Sequence, residues 1–150
     1  MKKILLAVFA LVLSFGAKAQ IEAPVKWSYA ANKISATEAM VYIKATIDDK
    51  WHIYGLDESG KAAIKTSFTF TPSKNYSVVG LTTQPKPLKK YEAGLKADVT
   101  YFEKSVIFQQ KIKLKPGKAN EVKGRLSYIA CNDHKCLPPE DVDFSIPLGK

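Results

Sequence analysis

Two cysteines with four residues between them are the clearest candidates for chemistry in this sequence. Cys131 and Cys136 enclose Asn-Asp-His-Lys, and Leu-Pro-Pro follows them. His134 and Lys135 place positive charge beside Cys136, and nearby cations stabilise a thiolate, the form that attacks disulfides. Asp133 either offsets this charge in part or holds His134. We interpret the segment as a reactive thiol pair on a loop at the end of a strand.

A structural disulfide is the main alternative, because exported proteins commonly use cysteine pairs to stabilise their folds. The size of the ring argues against it. A bond that closes about six residues removes only roughly 2 kcal/mol of unfolded-state entropy in the chain-entropy model. A small ring is also easily strained, which makes its disulfide easier to reduce. Spacing and charge alone leave redox, structural and metal-binding interpretations open.

A metal site is the third interpretation. Cys131, His134 and Cys136, with His52 as a fourth ligand, offer sulfur and imidazole donors that bind zinc tetrahedrally or bind copper. The spacing lacks the Cys-x2-Cys and His-x3-His patterns of strong zinc sites. His52 lies in an aromatic stretch, where a packed histidine is the more common case. We predict that the chain uses no metal or other cofactor.

The N-terminus has the parts of a secretory signal peptide. Lysines come first, residues 4–15 form an apolar run, and Ala-Lys-Ala at residues 17–19 fits a cleavage site. The apolar run is too short to span a membrane. The sequence predicts a signal peptide at residues 1–19 and a single domain at residues 20–150. The expected location is the periplasm, with peripheral membrane contact or none.

Composition and charge fit an exported globular protein that does not bind nucleic acid. The chain is 46% hydrophobic and carries a formal net charge of +9, which falls to +6 when the lysines before residue 20 are removed. The excess is nearly all lysine spread along the chain, with Arg125 as the one arginine. Nucleic-acid-binding proteins cluster Arg and Lys. A domain of this length buries roughly two thirds of its unfolded surface, so it does not need a disulfide to fold.

Alternating apolar residues predict a fold of short antiparallel strands. The clearest case is residues 37–47, where every second residue from Ala39 to Ile47 is apolar. Further strands are predicted at residues 24–30, 51–54, 65–71, 76–82, 98–102, 105–114, 122–130 and 142–148. The sequence shows no amphipathic helix of useful length. The pattern predicts an all-β, immunoglobulin-like antiparallel β-sandwich.

Four stretches resemble the N-terminal periplasmic domain of the DsbD family of thiol:disulfide interchange proteins. They are WHIY at residues 51–54, YFEKSVIFQQKI at 101–112, YIACNDHKCLPP at 128–139 and VDFSIPL at 142–148. The resemblance covers most of the mature chain, and the cysteine-Pro-Pro stretch is its most specific part. It implies an immunoglobulin-like fold whose cysteine pair shuttles between dithiol and disulfide. It also implies a component of protein-disulfide reductase chemistry, with a link to cytochrome c biogenesis.

The resemblance implies partners and roles as well. Electrons come from a membrane-embedded thiol reductase and pass to periplasmic thioredoxin-fold oxidoreductases. Cys136 forms the mixed disulfide with partners, and Cys131 resolves it. Because the sequence stops at Lys150, we expect the electron donor to act in trans. A non-catalytic β-sandwich binding module with a structural disulfide and a copper or zinc carrier are the alternatives.

Residues 84–97 follow no clear period and contain two prolines, a glycine and four lysines. Irregular loops of this length are often functional lids. The resemblance implies a cap loop that places an aromatic residue over the disulfide within an acidic stretch. We predict that this loop is the cap, with Tyr91 as the capping residue, Leu95 as the second choice and Glu92 as the acidic residue.

Overall fold

The computed structural model describes residues 22–56, 64–115 and 121–149, and this part of the chain consists of β-strands, turns and irregular segments. No helix in it is long and apolar enough to span a membrane. The predicted signal peptide at residues 1–19 lies outside the described residues. The eleven strands are β1 Val25–Ser35, β2 Glu38–Ile47, β3 His52–Tyr54, β4 Ser67–Phe70, β5 Tyr76–Thr83, β6 Leu88–Glu92, β7 Ala97–Glu103, β8 Ser105–Leu114, β9 Glu121–Tyr128, β10 Ala130–Cys131 and β11 Glu140–Pro147.

The strands form three sheets, with strand orders β1-β2-β8-β5, β10-β3-β7-β6 and β11-β9-β4. The pairings between these strands are antiparallel. Side chains from all three sheets meet in one main core, whose largest fully buried members include Phe108, Ile43, Ile53, Leu126 and Ile146. The predicted all-β, immunoglobulin-like antiparallel sandwich is confirmed.

Strand β2 shows why the alternation predicted the fold correctly. From Ala39 to Ile47, every second side chain is at most 4% exposed and faces the main core. Strand β8 continues this apolar face, because Ile43 lies opposite Phe108 and Ala45 lies opposite Val106. A slip of one residue would turn the buried set to solvent, so burial fixes the register.

Strand β1 is longer than predicted. It was expected to end at residue 30, but it runs to Ser35 and pairs with β2 along its length. Its last residues, such as Asn32 and Lys33, are exposed and carry no apolar period. Pairing with the neighbouring strand holds them extended, and that interaction leaves little trace in the local sequence.

The prediction of an irregular loop at residues 84–97 is wrong in its central part. Leu88–Glu92 forms strand β6, which pairs with β7 from Leu88 opposite Tyr101 to Glu92 opposite Ala97. Strand β6 lies at the edge of its sheet, and both of its faces are partly exposed. It therefore lacks the apolar alternation that marks a half-buried strand. We call β6, the turn at residues 93–96 and β7 the cap hairpin.

Candidate functional site

Cys131 and Cys136 form a disulfide. Cys131 is the last residue of β10 and is 2% exposed, whereas Cys136 lies on the loop after it and is exposed. The two cysteines also form an isolated antiparallel backbone bridge. The pair is therefore asymmetric, with one residue in the sheet and the other at the surface.

Local hydrogen bonds shape the loop between the cysteines into a narrow hairpin. The Asn132 amide donates to the Lys135 carbonyl at 2.8 Å, and the Leu137 amide donates to the Ala130 carbonyl at 2.9 Å. The Asn132 side-chain oxygen accepts from the backbone amides of His134 and Lys135, both at 2.9 Å. Asparagine favours such turns because its side chain bonds to the backbone two and three residues further on. The loop conformation thus depends on more than the disulfide.

The base of the cysteine segment is closed by Tyr128 and Glu140, which lie opposite each other in β9 and β11. The Tyr128 hydroxyl donates to Glu140 Oε2 at 2.7 Å. Burial, and then this hydrogen bond, raise the pKa of Tyr128 far above its usual value. Residues 129–139 therefore project from a fixed pair of strand ends.

The disulfide lies on the face of its sheet that is turned away from the main core. Direct cross-strand partners share a face of a sheet. Cys131 lies opposite His52, and His52 lies opposite Glu103 on β7. Their neighbours Ile53 and Phe102 point the other way, into the main core. The sheet therefore separates the packing of the fold from the site.

A small apolar cluster of Tyr54, Val99 and Cys131 forms on this outer face, and we call it the outer cluster. Leu95, from the turn of the cap hairpin, packs against it together with Ile64 and Ile129. Tyr54 and Cys131 are each 2% exposed. The buried member of the disulfide thus packs among side chains from β3, from the cap hairpin and from the segment just before its own strand.

The Tyr54 hydroxyl contacts Cys131 Sγ at 3.6 Å. A disulfide sulfur has no proton, so the tyrosine is the donor in this contact. Burial, followed by the charge of Glu92, raises the pKa of Tyr54 above its usual value. The hydroxyl therefore keeps its proton at neutral pH. Tyr54 was not predicted as a site residue, although the alternation in WHIY already placed it on the same face as His52.

His52 lies on the outer face between Cys131 and Glu103 and is 5% exposed. Its ring makes edge contacts with Tyr101 and Tyr54, with centroids 5.3 Å and 5.8 Å apart. Its Nε2 lies 3.1 Å from Lys90 Nζ. A cation at this nitrogen leaves little room for a metal, and no group of three or more His, Cys, Asp or Glu in the described residues is arranged to hold one.

The three predicted thiolate-tuning residues lie on the loop between the cysteines and are exposed. The Lys135 ammonium is 2.5 Å from the carboxylate of Glu22, with both side chains about half exposed. Asp133 lines a cavity of about 170 Å³ that His52 and Glu103 also line. The contact described above for His134 is made by its backbone amide, which donates to Asn132 Oδ1. The effect of these residues on the cysteines stays a prediction.

The two cap candidates occupy different environments. Leu95 packs against the outer cluster. Tyr91 is 65% exposed, and it lies opposite Asp98 rather than on the face that carries Lys90 and Glu92. The structure therefore places the second choice against the cluster that contains Cys131 and leaves the first choice largely in solvent. A capping role for either residue stays a prediction.

The family model for the N-terminal domain of the thiol:disulfide interchange protein DsbD matches residues 19–147. No curated protein sequence matches the chain. The chain is similar to the solved N-terminal periplasmic domain of ScsB from Proteus mirabilis, with a TM-score of 0.60 and 19% identity. That match covers 88% of this chain and 49% of the other, so the chain spans about half the length of that structure. It is also similar to the reduced N-terminal domain of DsbD from Neisseria meningitidis, with a TM-score of 0.50 and 18% identity over 79% of this chain and 83% of the other.

Proposed function

The chain belongs to the family of DsbD N-terminal domains, and we propose that it is a periplasmic thiol–disulfide relay domain. Its Cys131–Cys136 pair accepts electrons from a membrane-embedded thiol reductase and passes them to thioredoxin-fold oxidoreductases. Family membership and the disulfide itself support a role in thiol–disulfide exchange. The periplasmic location is supported by the ScsB domain, which is described as periplasmic.

The observation that carries the proposal is the asymmetry of the disulfide. Exchange begins when a thiolate attacks one sulfur of a disulfide, and the choice of sulfur depends on access. Cys136 is exposed on the loop, and Cys131 is 2% exposed within the sheet. A partner thiolate therefore reaches Cys136 first, and Cys131 is the leaving group.

Two electrons enter the cysteine pair from the donor, and two electrons leave it to the partner. A donor thiolate attacks Cys136 Sγ, the Cys131–Cys136 bond breaks, and Cys131 leaves as a thiolate. A second thiol of the donor then attacks the donor sulfur of the mixed disulfide, and Cys136 leaves as a thiolate. This step releases the oxidised donor and the reduced pair. In the transfer to the partner, the Cys136 thiolate attacks the partner's disulfide. Cys131 then attacks Cys136 Sγ, which releases the reduced partner and restores the intramolecular disulfide.

The cap hairpin is the part of the domain suited to protect the reduced pair. Leu95 covers the outer cluster that contains Cys131, and apolar contact at this point excludes water and small oxidants. The turn that carries Leu95 is held by two local backbone hydrogen bonds, Leu95 to Glu92 at 3.1 Å and Lys96 to Ala93 at 3.3 Å. A turn with so few anchors moves aside at low cost when a partner binds.

Trapping of the mixed disulfide tests this function. The reduced Cys131→Ser variant is mixed with an oxidised thioredoxin-fold oxidoreductase and analysed on a non-reducing gel. We expect a long-lived mixed disulfide through Cys136, because the resolving thiol is missing. The matched Cys136→Ser variant keeps only the buried thiol and should trap little. Failure of both variants to form a mixed disulfide would reject the relay, and stronger trapping by Cys136→Ser would reverse the two roles.

A further inference from the structure

We propose that His52 is a positioning residue for this exchange, holding the cap hairpin closed over Cys131 through a hydrogen bond from Lys90. The inference rests on the proposed function for the role of the cap. The hydrogen bond itself can be examined in the oxidised protein without any partner. It also assigns a role to the buried histidine that the exchange steps above do not use.

The hydrogen bond crosses the full width of a strand. Lys90 lies on β6 and His52 on β3, and these two strands are separated by β7 in the sheet. The Lys90 ammonium passes over the ring of Tyr101 on β7, 5.2 Å from its centroid, and reaches His52 Nε2 at 3.1 Å. This Lys90–His52 hydrogen bond, which we call the tie, therefore links β6 directly to β3, in addition to the backbone pairing of each strand with β7.

The position of this tie connects the cap to the disulfide. On one side, His52 lies directly opposite Cys131 in the pairing of β3 with β10. On the other side, Lys90 lies two residues before Glu92, whose carbonyl accepts the backbone hydrogen bond of Leu95. Closing the tie therefore holds the start of the turn against the face on which Cys131 lies.

The tie exists in only one protonation state of His52. An ammonium group is a donor with no acceptor, so His52 Nε2 has to offer its lone pair, and the imidazole has to be neutral with its proton on Nδ1. If His52 takes up a second proton, two cations face each other at 3.1 Å. The Lys90 ammonium already lies 3.2 Å from Glu92 Oε2 and keeps this partner when the contact with His52 is lost.

Several charged and titratable groups surround His52. They are Lys90 and Glu92 on β6, Tyr101 and Glu103 on β7, Tyr54 on β3 and Asp133 on the cysteine loop. Burial, and then the Lys90 charge, lower the pKa of His52, and the carboxylates of Glu103, Glu92 and Asp133 oppose this in part. His52 is therefore the neutral acceptor at neutral pH, and the tie opens only when the pH falls through this lowered pKa.

An apolar contact between the same strands would hold the hairpin equally at any pH. The His52–Lys90 pair instead makes closure of the cap depend on one proton, taken up below the pH at which histidine ordinarily titrates. In the proposed exchange this sets how readily Leu95 moves away from the outer cluster. The result is a cap that is held more firmly when His52 is neutral than when it is protonated.

Amide hydrogen exchange in the oxidised full chain, normalised to protection factors at each pH, provides the test. We expect Leu95 and Lys96 to lose protection as His52 is protonated, with both followed by NMR. Lys90→Met keeps an unbranched side chain without the donor and should lower this protection about tenfold at neutral pH, the factor expected for one charge-assisted hydrogen bond. Lys89→Met, on the opposite face of the same strand, is the matched control and should change nothing.

Substitution of the acceptor separates the tie from general packing. His52→Gln keeps an oxygen acceptor that does not titrate, so it should keep the protection of Leu95 and Lys96 near the wild-type level and remove its dependence on pH. His52→Phe keeps a ring without an acceptor and should match Lys90→Met. If Lys90→Met leaves the protection of Leu95 and Lys96 unchanged, the inference is wrong even if mixed-disulfide trapping succeeds. If it lowers protection but no mixed disulfide forms, the tie stands and the relay function fails.

Discussion

The Tyr54 hydroxyl oxygen lies 3.6 Å from Cys131 Sγ, and both residues are 2% exposed. The raised pKa of Tyr54 keeps this hydroxyl protonated at neutral pH. After reduction of the disulfide, the hydroxyl can donate to a thiolate at Cys131, and hydrogen bonds to a charged acceptor are the stronger kind. The buried cysteine thus has a donor that is separate from the exposed residues of its loop.

Replacing Tyr54 with phenylalanine should slow the resolving step. The Tyr54→Phe variant keeps the ring and loses the donor, so the Cys131 thiolate becomes less favourable. We expect the mixed disulfide at Cys136 to persist about tenfold longer, which corresponds to one hydrogen bond to a charged group. Quenched samples on non-reducing gels give the decay rate. Tyr42→Phe on strand β2, in another sheet, is the control, and equal decay rates for the two variants would exclude a role for the Tyr54 hydroxyl.

Removing the cap should expose the reduced pair to small oxidants. Leu95→Ala deletes the side chain that packs against the outer cluster. We expect the reduced protein to react several-fold faster with a small disulfide reagent, with the fold intact because the turn lies outside the main core. Thiol loss with time is the measurement. The sequence-based prediction assigns the same effect to Tyr91→Ala. A faster reaction in that variant than in Leu95→Ala would identify Tyr91, and not Leu95, as the capping residue.

The buried histidine should make stability depend on pH in a defined direction. The pKa of His52 is lowered in the folded protein, so the unfolded chain binds a proton more readily. The contribution of neutral His52 to the free energy of unfolding is fully present above about pH 6.5, the ordinary pKa of histidine. It is lost as the pH falls through the lowered pKa of the folded state. Urea unfolding should therefore show a lower midpoint at pH 5 than at pH 7.5.

The matched variants for this measurement are substitutions of the two histidines. His52→Gln should reduce the difference between the midpoints at the two pH values, because it removes the group that takes up the proton. His134→Gln changes an exposed residue of the cysteine loop. It should keep most of the wild-type pH dependence. An unchanged pH difference in His52→Gln would show that other groups cause it.

The sequence predicted those strands that bury one face. Residues such as Ile43 and Phe108 recur with period two because every second position enters the main core. Strand β6 was missed because Lys89 and Tyr91 on one face and Leu88 and Lys90 on the other all remain at least partly exposed. Its conformation comes from pairing with β7, which is a property of two segments and leaves no period in the sequence of β6.

The same distinction applies to the site. Cys131 and Cys136 were predicted as a pair because their interaction is local in sequence. Lys90 and His52 are 38 residues apart, and only the register of β6 with β7 and of β7 with β3 brings them together. Local sequence also did not predict that the Lys135 ammonium, next to Cys136 in sequence, pairs with Glu22.

The reduction potential of the Cys131–Cys136 pair tests the central claim most directly. The mature protein is equilibrated with glutathione buffers of defined potential, and the fraction of free thiols is read after trapping with an alkylating reagent. We predict reversible reduction at a potential well above about −300 mV, the level below which structural disulfides of secreted proteins usually lie. A disulfide that stays oxidised throughout strongly reducing buffers would contradict the relay and identify the bond as structural.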